Sequence, residues 1–292
     1  MGLADKLKSM LKTKGKVNIQ SRFEFRREAI SGTMSKFYMA RDNETDELVG
    51  LKICDVKKRD FFESRFKGLK KPSEGEIASQ FDHPNIVKTV EFGETTNGEF
   101  YMVMEFLPGI GMNGVIKKRL EAIRGRRLKL IRQMAEAIQT VHDAGYIHRD
   151  ICPRNFIIAK DASSLKLIDF GLTVPATGHF MAPGNRTGTP NYMAPEIVRR
   201  RATDHRLDLF AFGVSVFQFL TFELPWPGKE VTGKAALSHD TVPPRNLMEL
   251  YPELDPVLGE TIMECLASNP DSRPNSMNDF LRKISNVEKD EA

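Results

Sequence analysis

Three oxygen-bearing side chains follow one another at short spacing just past the middle of the chain. Asp150 lies in the stretch HRDICPRN, Asn155 ends that stretch, and Asp169 begins the tripeptide DFG. An amide oxygen and a carboxylate are ligands that Mg²⁺ accepts alongside phosphate oxygens and water. A second carboxylate can accept a hydroxyl proton or orient the hydroxyl for attack. The spacing therefore predicts Asn155 and Asp169 as metal ligands and Asp150 as the residue that acts on a hydroxyl.

A buried lysine is expected in the first third of the chain, where Lys52 lies in the strand-like run VGLKI. A lysine on a buried strand is costly unless it is paired, and Glu74, on the predicted helix that follows, is a natural partner. Such a pair suits phosphoryl transfer, in which positioning and charge neutralisation supply most of the catalysis. Each residue alone is more often structural, and it is their order along one chain that indicates a function.

From Phe23 to about Phe106 the sequence favours β-strands, with one helix among them. Asn97-Gly98 between two apolar runs predicts a β-hairpin. A Pro-Ser start followed by acidic residues predicts a helix over residues 72–81, which carries Glu74. Short apolar or alternating runs separated by turn residues predict strands over residues 36–41, 48–54, 87–92 and 100–106.

From about Leu107 onward the sequence favours helices. Apolar residues recur at a period close to 3.6 between residues 128 and 144, and Gly145 ends that helix. Two short apolar runs between Asn155 and Asp169 suggest short strands. Further helices are predicted over residues 206–222, 256–268 and 275–287. A β-rich part therefore precedes an α-rich part, which predicts the α+β class.

The excess positive charge lies at the amino-terminal end. The chain of 292 residues carries 43 basic and 39 acidic residues, a net charge of +4. Residues 1–18 hold five lysines and one aspartate, so the remainder is neutral by formal count. A neutral body argues against a nucleic-acid-binding protein, whose domain is normally basic.

Residues 1–20 are predicted to form a basic N-terminal extension. Leu3, Leu7 and Leu11 fall at helical spacing with lysines between them. A short amphipathic helix here could dock residues 1–18 weakly on an anionic membrane surface or on a partner protein. The alternative is a frayed, solvated tail.

A cytoplasmic location is expected from two observations. No apolar run approaches the ~20 residues that span a bilayer, and the first residues contain no apolar core of a secretory signal. The cysteines, Cys54, Cys152 and Cys265, lie far apart with no CxxC pair. Zinc binding and a disulfide framework are therefore not expected, and a reducing compartment fits.

The ordered motifs resemble those of the eukaryotic-type protein kinase family. They are HRDICPRN, DFG and the segment GTPNYMAPE at residues 188–196, and the resemblance runs from about Phe23 to Val287. It implies a two-lobed α+β protein kinase fold, with a small β-rich N-lobe that contains helix C and a larger α-helical C-lobe. The implied domain covers residues 21–288, with the N-lobe at about 21–106, the C-lobe at about 107–288 and a short tail at 289–292.

The resemblance assigns a role to each matching residue. Asp150 would be the catalytic base, while Asn155 and Asp169 would hold Mg²⁺, with Mn²⁺ as a possible substitute. Lys52 would hold the α- and β-phosphates of ATP, paired with Glu74 as the helix C glutamate or with Glu76 as the fallback. Glu196 and Arg273 would form a structural ion pair, and Met104 would be the gatekeeper before a hinge whose backbone bonds adenine. The implied nucleotide-binding residues are Ala29, Ile30, Gly32, Ser35, Phe37, Lys52, Glu74, Glu105 and Leu107.

The glycine-rich loop departs from the family pattern. Alignment of residues 37–40 with the usual V-Y-x-A places Ile30, Gly32 and Ser35 at the three glycine positions, so one glycine survives. Side chains at the other two positions restrict φ and the close approach of backbone to phosphate. We therefore expect weaker or slower nucleotide binding, but not its loss.

The catalytic loop departs from the family pattern as well. Cys152 stands where serine/threonine kinases usually place a lysine that steadies the transferring phosphate. Arg154, two residues further on, resembles an arginine that many tyrosine kinases use instead, and a guanidinium supplies both charge and a bidentate fork. Arg154 is therefore a candidate catalytic residue, with a solvent-facing or structural role as the alternative. Because basophilic kinases tend to carry Glu at this position, a preference for Arg just before the target residue is not expected.

Substrate type and activation are indicated by the segment after DFG. Its GTPNY portion, with Thr189 near the catalytic Asp, resembles the serine/threonine form. Arg149 often meets an activation-loop phosphate in such kinases. Thr173, Thr177, Thr187 and Thr189 are the candidate phosphorylation sites, with Thr187 in the most plausible position, and the alternative is a loop that orders without phosphate.

The resemblance implies an ATP- and Mg²⁺-dependent serine/threonine protein kinase that acts on a protein substrate. An ATP-binding pseudokinase scaffold with little or no activity is the alternative, supported by the altered glycine loop and by Cys152. A kinase-fold enzyme acting on a small molecule or lipid is the third possibility. The complete GTPNYMAPE segment, which forms a peptide-binding shelf in protein kinases, argues against the third.

Overall fold

The computed structural model describes residues 15–31, 35–66, 68–226 and 235–290. The chain divides into two units, Met1–Leu107 and Pro108–Ala292, called unit 1 and unit 2 below. The predicted amphipathic helix of the N-terminal extension and the surviving loop glycine, Gly32, lie outside the described residues.

Unit 1 is built on a five-stranded antiparallel sheet in the order β1-β2-β3-β5-β4. The predicted strands are present, each within about two residues of its expected ends. The hairpin at Asn97-Gly98 is confirmed, since Thr95 N–H donates to the Glu99 carbonyl at 2.7 Å across the turn. The strands are β1 (Phe23–Ser31), β2 (Ser35–Asp42), β3 (Leu48–Cys54), β4 (Thr89–Glu94) and β5 (Phe100–Glu105).

The expectation of a single helix in this part of the chain was wrong. Unit 1 contains α1 (Ile19–Arg22), α2 (Val56–Glu63) and α3 (Glu74–Ala78), with a 3₁₀ turn directly after α2. Helix α2 has no clear helical pattern of apolar residues in the sequence. Its two adjacent phenylalanines lie in different environments, since Phe61 is 68% exposed and Phe62 is 5% exposed. The predicted helix over residues 72–81 is shorter than expected and ends at Ala78.

A buried arginine joins the N-terminal segment to the sheet of unit 1. Arg22, 8% exposed, donates to both carboxylate oxygens of Asp42 at 3.1 and 2.7 Å and to both of Glu91 at 2.7 and 3.0 Å. The Tyr101 hydroxyl donates to the same Glu91 carboxylate. One guanidinium therefore holds two carboxylates from β2 and β4, and α1 is fixed against both.

Unit 2 is organised around two long helices. Helix α7 (Arg206–Thr221) is buried on almost every side. Helix α5 (Arg127–Asp143) buries its apolar face, as expected for an amphipathic helix that packs on a core. No helix in the described ranges is both long and apolar enough to cross a membrane. The helices are α4 (Met112–Lys117), α5 (Arg127–Asp143), α6 (Pro195–Val198), α7 (Arg206–Thr221), α8 (Leu247–Leu250), α9 (Pro256–Cys265) and α10 (Met277–Lys283).

Two small sheets of unit 2 carry the loops of chemical interest. One has the order β6-β8-β9 and the other pairs β10 with β7. The predicted helix over residues 128–144 is confirmed as α5. Helices α9 and α10 end earlier than predicted, because the chain turns after residue 265 and again over residues 284–286. Helix α10 also begins later than predicted, since the Ser276 hydroxyl caps its first turn. The strands are β6 (Gly109–Gly111), β7 (Tyr146–Ile147), β8 (Phe156–Ala159), β9 (Leu165–Leu167) and β10 (Val174–Pro175).

Replacement of Arg22 by Met should destabilise unit 1 by about 3 kcal/mol, because two carboxylates would lose the cation that compensates their burial. Native-state hydrogen exchange at the β5 amides measures this loss. Arg41→Met is the matched control, since Arg41 and its partner Asp46 are both exposed and such pairs contribute little. Equal protection in the two variants would contradict the assigned role of Arg22.

Candidate active site

A fully buried carboxylate on α7 fixes the backbone of the HRD stretch. Asp208 accepts the N–H groups of His148 at 2.8 Å and Arg149 at 2.9 Å. His142, in the last turn of α5, places its Nε2 at 2.9 Å from the same carboxylate. Burial raises the pKa of Asp208, but the contacts with His142 and His148 outweigh it and the net direction is downward. The carboxylate therefore stays charged and holds Arg149 at φ 67°, a conformation that few non-glycine residues adopt.

The Asp150 carboxylate that follows is held by three neighbouring side chains. Its Oδ1 accepts the Thr189 hydroxyl at 2.6 Å and the Thr189 N–H at 3.1 Å. Its Oδ2 accepts Arg154 Nη2 at 2.8 Å and Asn155 Nδ2 at 3.2 Å. Asp150 is 7% exposed, so its carboxylate is fixed in one orientation near the surface of unit 2.

The two predicted metal ligands of unit 2 lie beside each other. The N–H of Ile168, the residue before Asp169, donates to the Asn155 carbonyl at 3.0 Å. Asn155 also donates its Nδ2 to the Asp150 carbonyl at 2.7 Å, which directs its Oδ1 oxygen away from Asp150. Asp169 accepts the Gly171 N–H at 2.9 Å. An amide oxygen and a carboxylate fixed in this way fit a hard divalent cation such as Mg²⁺.

Cys152 and Arg154 have different environments. Cys152 is 1% exposed, and burial raises the pKa of its thiol to about 12, so it is neutral and supplies no charge. The Arg154 side chain is 44% exposed and forms an ion pair with Asp150. The positive charge nearest to Asp150 is therefore on Arg154, and the family's lysine position carries none.

Residues 188–194 form a segment, called the shelf, whose second residue, Thr189, binds Asp150. Gly188 has φ 131°, and a Cβ atom there would lie 3.0 Å from the Arg149 carbonyl, so glycine is required. The Tyr192 hydroxyl donates to Gln218 Oε1 of α7 at 2.5 Å. The predicted ion pair behind the shelf is confirmed, with Arg273 donating to both oxygens of Glu196 at 2.8 Å.

The shelf also depends on a histidine that the sequence analysis missed. His239 is 4% exposed, and its Nδ1 lies 2.8 Å from the Met193 carbonyl. Its ring lies 4.4 Å from that of Trp226, centroid to centroid. Because Met193 and His239 are 46 residues apart and belong to no shared motif, local spacing contains no signal for this contact.

The segment between DFG and the shelf is held by Arg149. Its guanidinium donates to the carbonyls of Phe180 at 3.3 Å and Asn185 at 2.9 Å. Burial lowers the pKa of Arg149 to about 10, against the opposing effect of Asp208, so it remains protonated. Among the four threonines considered for phosphorylation, Thr173 and Thr187 are buried, Thr189 is bound to Asp150 and Thr177 is exposed.

In unit 1, the predicted pairing of Lys52 is confirmed. Lys52, 3% exposed, forms an ion pair with Glu74, and its Nζ lies 5.1 Å from the centre of the Phe37 ring. Glu76, the alternative partner, is instead used in a capping box, where it accepts the Ser73 N–H at 2.7 Å. Because the capping box at the start of α3 uses Glu76, Glu74 is the carboxylate that pairs with Lys52.

The position of Glu74 depends on close contact between α3 and the sheet. Gly75 lies against Phe92 of β4, and a Cβ atom at Gly75 would come within 2.5 Å of that ring. No other residue type would allow α3 to approach β4 this closely. The glycine next to Glu74 is therefore part of what brings the carboxylate to Lys52.

The remaining nucleotide-binding predictions lie on three strands of unit 1 or just after the last of them. Ala29 and Ile30 belong to β1, and Ser35 starts β2, where it is buried and pairs with Cys54 of β3. Glu105, at the end of β5, donates its N–H to the Lys88 carbonyl at 3.0 Å, and Leu107 is the last residue of unit 1. The structure thus places Ala29, Ile30, Ser35 and Glu105 on the sheet and Leu107 just after it. Contact of these residues with nucleotide stays a prediction.

Comparison with known proteins supports the resemblance. The family described as protein kinase domain matches residues 24–284. Serine/threonine-protein kinase pkn3 of Myxococcus xanthus is 29% identical over 280 residues, which cover 92% of this chain and 50% of that protein. Serine/threonine-protein kinase PknB of Mycolicibacterium smegmatis is 30% identical over 267 residues, or 88% of this chain and 41% of that protein.

A vertebrate relative shows the same likeness over a shorter stretch. The hormonally up-regulated neu tumor-associated kinase of Homo sapiens is 35% identical over 216 residues, which cover 72% of this chain and 27% of that protein. The chain spans about half the length, or less, of these curated relatives.

Folding stability should fall at mildly acidic pH through His239. Burial lowers its pKa, against the Met193 carbonyl and Asp240, which raise it. The unfolded chain, whose histidines titrate near pH 6.5, then binds more protons than the folded state, so stability declines as pH drops below about 6.5. We expect His239→Gln, which can still donate to Met193, to lose less in thermal midpoint between pH 7.5 and 5.5 than the wild type.

Differential scanning fluorimetry at both pH values measures these midpoints. His179→Gln is the control, because His179 is exposed and should leave the wild-type pH dependence unchanged. The same pH dependence in His239→Gln and in the wild type would contradict the prediction.

Proposed function

Because the chain belongs to the protein kinase family, we propose that it is a serine/threonine protein kinase that transfers the γ-phosphate of ATP to a hydroxyl of a protein substrate. One observation carries the proposal. The Asp150 carboxylate is oriented by Thr189, from the serine/threonine-type shelf, and by Arg154 and Asn155 of the catalytic loop.

Asp150 is proposed to act on the target hydroxyl. The hydroxyl would donate a hydrogen bond to the carboxylate, which takes up the proton as the hydroxyl oxygen attacks the γ-phosphorus; the bond from that phosphorus to the bridging oxygen breaks, and ADP leaves. The three neighbours hold the carboxylate in one rotamer, so little reorganisation is needed when substrate arrives. Thr189 contributes both its hydroxyl and its backbone N–H to this arrangement.

The remaining predicted residues are proposed to hold the nucleotide and its metal. ATP supplies the phosphoryl group, and Mg²⁺ offsets the charge of its phosphates. Asn155 through Oδ1 and Asp169 through its carboxylate would hold the metal, and Mn²⁺ could take its place. Lys52, kept in position by Glu74, would bind the α- and β-phosphates, and the Glu105 and Leu107 backbones would bond adenine.

Arg154 is proposed to steady the transferred phosphate in place of the usual lysine. Its guanidinium is charged, partly exposed and already beside Asp150, whereas the Cys152 thiol is neutral. A planar guanidinium can offer further N–H groups to a phosphate while one remains on the carboxylate.

The same proposal extends to the bounds of the domain, the cellular location and the N-terminal segment. The kinase domain would cover residues 21–288, between a basic extension at 1–20 and a short tail at 289–292. Cys54, Cys152 and Cys265 are free thiols, which fits the cytoplasm that we propose as the location. Residues 1–18 are the proposed docking segment for a membrane surface or partner.

A transfer assay with radiolabelled ATP and generic protein substrates tests the activity. The wild type should label protein, and Asp150→Asn should lower turnover by about 10²–10⁴-fold, as expected for loss of a general base, without changing nucleotide affinity. Asp46→Asn, at the exposed ion pair with Arg41, is the control. A wild type that binds nucleotide and labels nothing would support the pseudokinase scaffold instead.

The role of Arg154 is tested by moving the charge back to the lysine position. Arg154→Ala should lower kcat by about 10²-fold, as for loss of one preorganised charge donor, with little change in the KM for ATP. The double variant Cys152→Lys/Arg154→Ala should regain most of the activity, since the charge returns to the family's usual position. Unchanged kcat in Arg154→Ala would remove Arg154 from the mechanism.

A further inference from the structure

Three consecutive arginines follow the shelf. Helix α6 starts at Pro195, directly after the shelf, and ends at Val198. Arg199, Arg200 and Arg201 come next, and all three are exposed. Residues 199–203 are called the arginine loop below.

The arginine loop is anchored at both ends. Arg199 N–H donates to the Pro195 carbonyl at 2.9 Å, and Arg201 N–H donates to the Glu196 carbonyl at 2.8 Å. Thr203 N–H donates to the Met181 carbonyl at 3.0 Å, which ties the loop to the segment that precedes the shelf. The loop is therefore part of the same ordered surface as the shelf.

The first of the three arginines, Arg199, forms an ion pair with Asp240. Arg199 donates from Nε and Nη2 to the two carboxylate oxygens of Asp240, at 2.7 and 2.9 Å. Asp240 follows His239, which binds the Met193 carbonyl. One 3₁₀ turn, Ala235–Asp240, therefore holds both the shelf and the start of the arginine loop.

The other two arginines keep their charges uncompensated. Across the described residues, neither the Arg200 nor the Arg201 guanidinium makes a hydrogen bond or an ion pair. Arg200 also has φ 55°, a left-handed conformation that is costly for a residue with a Cβ atom. Two adjacent cations are therefore present, one of them at a left-handed position that usually favours glycine or asparagine.

Nearby carboxylates are already committed to other cations. Asp240 is bound by Arg199, Glu196 by Arg273, and Asp204 by Arg206. Arg201 is close enough to help lower the pKa of Asp240, although the hydrogen bond from Arg199 is the larger cause. Counted over the described residues alone, this surface therefore carries an excess of two positive charges.

The distance from the reacting carboxylate limits what this surface can reach. Thr189 touches Asp150, and the chain from there to Arg200 passes through a 3₁₀ turn, an extended stretch and the single turn of α6. At the usual rise per residue of each, that path is about 20–25 Å along the chain, and the direct distance is no longer than this. An extended substrate advances about 3.3 Å per residue, so the arginines reach about six or seven residues from the target hydroxyl.

From these observations we propose that Arg200 and Arg201 form a docking surface for acidic residues of the protein substrate, within about seven residues of the phosphorylated hydroxyl. The inference rests on the proposed kinase function and specifies its substrate class. Guanidinium groups bind carboxylates through a fork of two hydrogen bonds, and complementary charge both speeds encounter and selects partners.

The shelf itself is consistent with an acidic substrate. The side chain that holds Tyr192 is the neutral Gln218, and the exposed charge beside Asp150 is Arg154. At both positions a carboxylate would have favoured a basic peptide, so neither Gln218 nor Arg154 opposes the preference set by the arginine loop.

The test uses fluorescein-labelled 15-residue peptides with a central serine and glutamates at the third to seventh positions on one side or the other. Matched peptides carry glutamine in place of glutamate. Binding is measured by fluorescence anisotropy with the full chain carrying Asp150→Asn, and phosphorylation is measured with the active chain. One of the glutamate peptides should bind about tenfold more tightly than its glutamine counterpart, the sum expected for two exposed ion pairs.

The variant Arg200→Asn/Arg201→Ser should reduce that preference to about twofold or less. Asn suits position 200 because it tolerates positive φ. The control Arg282→Ser/Lys283→Ser removes two exposed charges from α10 and should retain the preference. Equal binding of glutamate and glutamine peptides by the wild type, or an unchanged preference in the Arg200/Arg201 variant, would overturn the inference.

The two proposals fail in different ways. A chain that binds a glutamate peptide selectively but transfers no phosphate would overturn the proposed activity and leave the docking surface intact. A chain that phosphorylates glutamate and glutamine peptides with equal kcat/KM would overturn the docking surface and leave the activity intact.

Discussion

The buried carboxylate of Asp208 is the interaction on which the rest of unit 2 depends. It accepts two consecutive backbone N–H groups and the His142 ring, and so it sets the backbone conformation of the residue before Asp150. The direction of Asp150 follows from that conformation. Thr189, Arg154 and Asn155 can meet the Asp150 carboxylate only because Asp208, on the central helix of the unit, has already determined where it points.

Much of this arrangement could be predicted from the sequence, and the reasons for the exceptions are physical. Helix α5 has one apolar face and β3 is a short apolar run, so both follow from periodicity. Helix α2 lacks such a face, and the sequence pattern did not indicate it. The choice between Glu74 and Glu76 also depended on local structure, because the Ser73 capping box consumes Glu76.

Motif order alone identified Asp150, Asn155 and Asp169 as a set, and the structure places all three within unit 2. Contacts between distant segments could not be found in this way. His142 and Asp208 are 66 residues apart, and neither residue type nor spacing in the sequence indicates that they meet. The charge pattern was only partly visible, since the sequence displays three adjacent arginines but not that Asp240 neutralises the first of them.

Arg149 gives the segment after DFG a particular kind of order. Its guanidinium bonds two main-chain carbonyls, Phe180 and Asn185, and main-chain carbonyls are present whatever the modification state of the chain. The Arg149 Nε, by contrast, is buried and has no hydrogen-bond partner among the described residues, so the guanidinium keeps a donor beyond the two that bind carbonyls. The contacts that order this segment are therefore already present in the unmodified polypeptide.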